Sequence, residues 1–196
     1  MLDYTLLGLR LTLGGYLAAH GAQKLFGSLD GPGLEKAAAG FERMGLAPGK
    51  AFAALAGGSE FAGGILTAAG AAYPVGPLAL AGAMSVASLT HADKGPLMQK
   101  GGYELPATNL AAALVLLGAG RDRYSFDRLT GFRLSKGLVL LTVLGAVTMT
   151  AYSASQVLKT KRDAALAPPV PETHAAESAD SPAGDAAEDA AAEASA

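Results

Sequence analysis

His20 and Lys24 stand four residues apart in the stretch His20-Gly-Ala-Gln-Lys-Leu-Phe-Gly27, at the end of an apolar segment that begins near Thr5. On a helix that spacing puts an imidazole and an ammonium on one face. Between Ala51 and Ala92 the only charged residue is Glu60, with His91 the one imidazole. A lone carboxylate in an apolar span is costly and tends to take up a proton, so it calls for a cationic partner. Lys24 or His20 is the natural one. Such a meeting is either an ion pair that fastens two helices or a site that handles protons or a ligand.

The elements that must position these groups are apolar runs. A membrane helix needs roughly 20 mostly apolar residues, and five segments approach that length: about Thr5 to Phe26, Ala51 to Tyr73, Gly76 to His91, Glu104 to Gly120 and Gly137 to Leu158. Ala47-Pro48-Gly49 separates the first from the second. Pro74 and Pro77 force a tight turn between the second and third, which makes them antiparallel neighbours. The composition, 51% hydrophobic with 26 Gly and 16% charged, fits a lipid-embedded bundle whose small residues let backbones approach. The amino terminus lacks a basic leader, so the first segment reads as a retained span and not a cleaved signal.

Charge is split along the chain. Residues 163–196 hold eight acidic residues and no Lys or Arg, leaving residues 1–162 with fifteen Lys+Arg against nine Asp+Glu, or +6. No basic cluster is interleaved with aromatics, which argues against nucleic acid and for the surface of a lipid bilayer. The Ala, Pro and acidic composition after Lys159 predicts a disordered tail. There is no cysteine, so thiol chemistry would belong to a partner or substrate. Arg121, Arg123, Arg128, Arg133 and Lys136 crowd one short loop, which places that loop in the cytoplasm and the tail outside.

Alternating span direction gathers His20, Gln23, Lys24, Glu60, His91, Tyr103 and Glu104 in one half of the bundle, and leaves Arg10 in the other. Glu60 lies about nine residues into its span, roughly 13 Å at helical rise, and is the deepest of these groups. Two histidines on neighbouring spans are the minimum for haem, but their apparent depths differ, and haem is disfavoured. No metal-ligand spacing is present, and the Gly-rich segments follow no strand, which excludes a dinucleotide fingerprint. Bland roles stand beside each candidate: Lys24 can snorkel, His91 can cap a helix end, and Tyr103 can anchor at an interface.

The first span leading to His20–Gly27, Phe41-Glu42-Arg43-Met44-Gly45-Leu46, Glu60-Phe61-Ala62-Gly63-Gly64, His91 ahead of Lys94-Gly95, Gly101-Gly102-Tyr103-Glu104, Gly118-Ala119-Gly120-Arg121 and Tyr124-Ser125-Phe126-Asp127-Arg128 together resemble the DoxX family of small membrane proteins. The resemblance implies an all-α, integral membrane four-helix bundle over residues 1–131. Residues 132–158 would add a basic loop and a fifth transmembrane helix, and residues 159–196 the acidic tail.

It further implies a multi-pass protein of a bacterial plasma membrane. Its role would be a redox-assembly subunit that interacts with quinone and is linked to sulfur-compound oxidation or oxidative-stress handling. A soluble redox enzyme would be its partner, and self-association into a homo-oligomer is compatible with the pattern. The polar positions carried over are Arg10, His20, Gln23, Lys24, Glu60, His91, Tyr103, Glu104 and Arg121. The competing readings are a non-catalytic anchor for a soluble enzyme, and transport of a small anion past Arg10 and Lys24.

Overall fold

A computed structural model describes residues 2–166, and among them every regular element is helical. The helices are α1 (Leu2–Phe26), α2 (Gly33–Arg43), α3 (Gly49–Ala69), α4 (Val75–Thr90), α5 (Glu104–Ala119), α6 (Phe126–Thr130) and α7 (Lys136–Leu166). Short 3₁₀ turns at Ala92–Lys94 and Met98–Lys100 join α4 to α5. Glycines in the left-handed conformation end several of these elements, as at Gly70 after α3 and Gly131 after α6.

Two elements differ from the sequence reading. The short helix α2 occupies a connection in which the apolar runs predict no element, and it buries Ala37 and Ala38 beside Ala53 of α3. The second difference is that α7 continues eight residues beyond Leu158, through residues expected to begin the tail. Lys, Arg and Ala are strong helix formers, and Thr160 and Lys161 find partners that hold this extension: Thr160 Oγ1 donates to the Gly45 carbonyl at 3.3 Å, and Lys161 Nζ lies 2.9 Å from Asp93 Oδ1. The rest of the expected tail, residues 167–196, lies outside the described residues.

Two helices, α3 and α7, are long and apolar enough to cross a membrane, whereas α4 and α5 are shorter apolar helices of 16 residues. Helix α1 has the length but carries Asp3, Arg10 and Lys24.

Helices α1 and α3 run antiparallel and touch backbone to backbone. A Cβ on Gly14 would lie 2.6 Å from Ala68 N, and one on Gly21 would lie 2.7 Å from Phe61 Cα, so a side chain at either place forces the helices apart. Along the adjoining edge of the same face α1 contributes Leu6, Leu13 and Leu17 to a buried cluster with Leu80, Ala81 and Met84 of α4 and Ala113 and Leu116 of α5. Helix α4 pairs antiparallel with α3, Gly63 facing Ala79.

Helix α7 runs parallel to α4 in constant register: Gly82 beside Thr150, Leu89 in the cluster that holds Val157, Asp93 bonded to Lys161, each pair 68 residues apart. Most of its apolar surface stays exposed, and its buried residues are Ser153 and Val157.

Candidate functional site

One face of α1 carries two polar centres. Arg10, Gly14, Leu17, Gly21 and Lys24 recur at alternating four- and three-residue steps, which keeps them on one stripe of a helix. The glycines in the middle of that stripe make the crossing with α3, and the charged groups at its ends reach across it. His20 precedes Gly21 by one residue, about 100° round the helix, and instead meets the Tyr16 ring edge-on at 4.6 Å between centroids.

At the Lys24 end, Lys24 Nζ and Glu60 Oε2 form an ion pair. The Glu60 side chain is 6% exposed and that of Lys24 26%, so the carboxylate is buried and the ammonium reaches outward. Neither group has a second hydrogen-bond partner among the described residues. Both line a cleft of about 400 Å³ between α3, α4 and α7. Its walls are mainly apolar, with Phe52, Leu55, Ala83, Val86 and Met149 among them, and its other polar lining includes Ser59, Thr90, His91 and Ser153. That volume lies within the range of about 300–1,000 Å³ usual for small-molecule sites.

The remaining candidates of this half divide by what they touch. His91 caps α4 and lines the cleft, and its Nδ1 lies 2.8 Å from the Gly101 carbonyl. Glu104 is exposed and accepts from the Met98 N–H at 3.2 Å. Tyr103 gives its backbone N–H to the Gly95 carbonyl at 3.1 Å. Gln23 Nε2 donates to the Leu29 carbonyl at 3.4 Å, beside the close approach of Gly31. These contacts fold the two connecting loops. Gln23, Tyr103, Glu104 and His20 do not line the cleft, so of the seven residues grouped by depth, Lys24, Glu60 and His91 share it.

At the opposite end Arg10 is buried with a partner that sequence reasoning did not name. Its Nε lies 2.8 Å from Asp122 Oδ2, with side chains 6% and 2% exposed, and its Nη1 donates to the Ala68 carbonyl at 3.4 Å. Asp127, 1% exposed, accepts from the Ala72 and Tyr73 N–H groups at 2.8 Å each, and its own N–H donates to the Gly70 carbonyl at 3.1 Å. Ser125 caps α6, and Tyr73 Oη donates to the Leu117 carbonyl. Arg121 donates from Nη1 to the Phe132 carbonyl at 3.0 Å and does not pair with Arg10's carboxylate.

This end leaves a void of only about 20 Å³ beside Arg10, Thr67 and Asp122, room for a water and no larger ligand. It is a fastening for the ends of four helices. The signal for it was in the sequence: alternating direction brings Arg10 to the end where residues 121–128 emerge, and Asp122 and Asp127 are the acidic residues there.

The sequence model of the DoxX family matches residues 5–93, which covers α1 to α4 and both members of the Lys24–Glu60 pair. No curated protein and no solved structure matches the chain.

Proposed function

From the match of residues 5–93 to the DoxX family model we propose that the protein is a membrane-embedded subunit of a redox assembly that admits a lipid-borne quinone to the cleft beside Lys24 and Glu60. The family and the apolar helices point to a membrane location. In this reading α1, α3, α4 and α5 cross the bilayer as four spans and α7 as a fifth. The 16 residues of α4 reach about 24 Å at helical rise, short of the roughly 30 Å hydrocarbon core, a mismatch that local thinning of the bilayer accommodates. The basic loop of Arg121, Arg123, Arg128, Arg133 and Lys136 faces the cytoplasm.

The single observation that carries the reading is an ion pair with unused hydrogen-bonding capacity in the wall of a mainly apolar cleft. Lys24 has N–H donors left for a carbonyl oxygen, and Glu60 has a second oxygen left to accept from a hydroxyl. A donor and an acceptor side by side suit a head group that changes from acceptor to donor. A quinone supplies exactly that kind of two-electron, two-proton change, with the electrons exchanged with a soluble redox partner. Glu60 accepts from a head-group hydroxyl at its free oxygen while Lys24 donates to a head-group carbonyl. The apolar walls shield the buried Glu60 carboxylate from water.

The test uses purified protein in nanodiscs, with decylubiquinone as probe and bound ligand counted by native mass spectrometry. Wild type should retain the probe, and Glu60→Gln and Lys24→Met should each weaken retention without loss of helicity. Equal retention by all three proteins refutes the role of the pair. A wild-type protein that binds no quinone, yet recovers a soluble enzyme on crosslinking, replaces this reading with that of an anchor.

A further inference from the structure

We infer that α7 is the wall along which the apolar tail of the cleft's ligand lies, and that Gly145 sets how much tail can pass; this rests on the reading of the cleft as a quinone site. The antiparallel register that sets Gly63 against Ala79 puts Glu60 level with Gly82. From that level the cleft lining continues along α4 through Ala79 and Leu78 to Val75, about 10 Å further at helical rise. A single ring held at Lys24 and Glu60 leaves this extension empty. A head group with a linear apolar tail fills it.

The facing wall is one stripe of α7: Thr142, Gly145, Ala146, Met149, Thr150 and Ser153 stand at positions i, i+3, i+4, i+7, i+8 and i+11 and all line the cleft. Thr150 stands against Gly82, where a Cβ would come within 2.7 Å of its Oγ1, so the seam between α4 and α7 is tight at the level of the head group. At Gly145 the opposite holds. It lies five residues nearer the start of α7, level with Pro77 by the constant register, and a Cβ built there meets no atom within 4 Å. Gly145 is exposed and lines the cleft, so a side chain at position 145 narrows the open extension.

Gly145→Leu separates the tail path from the polar pair. Leucine replaces glycine in a helix with a gain in helix propensity, so the variant keeps its fold, which circular dichroism and its melting temperature check. Full-length protein in nanodiscs is titrated with decylubiquinone and with the tail-less ubiquinone-0, bound fractions being read by native mass spectrometry. Wild type should prefer the tailed probe. Gly145→Leu should lower affinity for decylubiquinone roughly tenfold or more, the scale on which an apolar pocket discriminates by shape, and leave ubiquinone-0 binding unchanged. Glu60→Gln should weaken both. If Gly145→Leu binds decylubiquinone as wild type does while Glu60→Gln weakens both probes, the tail path is overturned and the quinone site stands. If wild type binds neither probe, both are overturned.

Discussion

Asp122→Asn should destabilise the protein far more than Glu60→Gln, although both substitutions remove the carboxylate of an ion pair made by α1. The Arg10 and Asp122 side chains are 6% and 2% exposed, and once its counter-charge is gone the guanidinium keeps only long bonds, at 3.4 Å each, to the Ala68 carbonyl and to the oxygen left at position 122. Leaving one member of a buried pair uncompensated costs about 3–5 kcal/mol. Asparagine still accepts the Tyr124 N–H that reaches Asp122 Oδ1 at 2.9 Å, so the lower end, about 3 kcal/mol, is expected.

Arg10→Met leaves the carboxylate with that N–H and should cost about 2 kcal/mol. The double variant should cost no more than the worse single one, a coupling of about 2 kcal/mol. Lys24, at 26% exposed, can carry its ammonium to water or lipid head groups when Glu60 is neutralised, and Glu60→Gln should cost about 1 kcal/mol or less. Unfolding of the detergent-solubilised protein by heat and by denaturant, followed by circular dichroism, measures all four variants. A cost for Asp122→Asn no larger than that for Glu60→Gln, or additive costs in the Arg10 and Asp122 cycle, refutes the assignment of this pair to fastening.

The glycine crossing makes a paired prediction. Gly14→Ala should cost about 1–3 kcal/mol by overpacking against Gly64 and Ala68, while Gly58→Ala, whose Cβ meets nothing within 4 Å, should be neutral or stabilising in the same unfolding assay. The contact of α7 with the α4–α5 loop should fail only in acid. The Asp93 carboxyl is held below its ordinary 3.8, first by the hydrogen bond from Lys161 and then by its own backbone. A depressed carboxyl contributes fully above the ordinary value and loses its contribution as pH falls through the lowered one. Spin labels on cysteines introduced at Gln99 and Asp163, in a chain with no other cysteine, should report an unchanged distance down to about pH 4 and a broadened one below it. Broadening already near neutral pH would show that another group holds the helix.

The apolar runs and their Pro and Gly interruptions made α1, α3, α4 and α5 legible to within a few residues, because a helix without charge leaves a continuous mark in composition. Helix α2 left none. Its buried face is two alanines, and Glu35, Lys36, Glu42 and Arg43 around them read as a connecting loop. Depth along the spans grouped His20, Lys24, Glu60 and His91 at one end, and of these Lys24, Glu60 and His91 line the cleft. Rotation about each helix was not, since it depends on which face the neighbour takes. The Gly21 crossing turns Lys24 toward Glu60 and His20 toward Tyr16, and only packing reveals that. Asp122 and Asp127 were hidden for a different reason: each sits among arginines in a loop whose positive charge dominated its reading, while their partners are backbone N–H groups and a guanidinium far away in sequence.

The distance between Arg10 and Asp122 has a consequence for synthesis in the bilayer. The two are 112 residues apart, and the turn at Ala72 and Tyr73 waits 54 residues and more for Asp127. If α1 crosses the bilayer as proposed, it enters lipid with a guanidinium lacking its counter-ion, and the α3–α4 hairpin forms with two N–H groups still without acceptors. Both debts are cleared at once, when the segment 122–127 arrives behind α5. The amino-terminal helices should thus remain within the insertion machinery, or bound to a membrane chaperone, until α5 has been delivered, and a ribosome stalled before Asp122 should leave a nascent chain that proteases readily degrade.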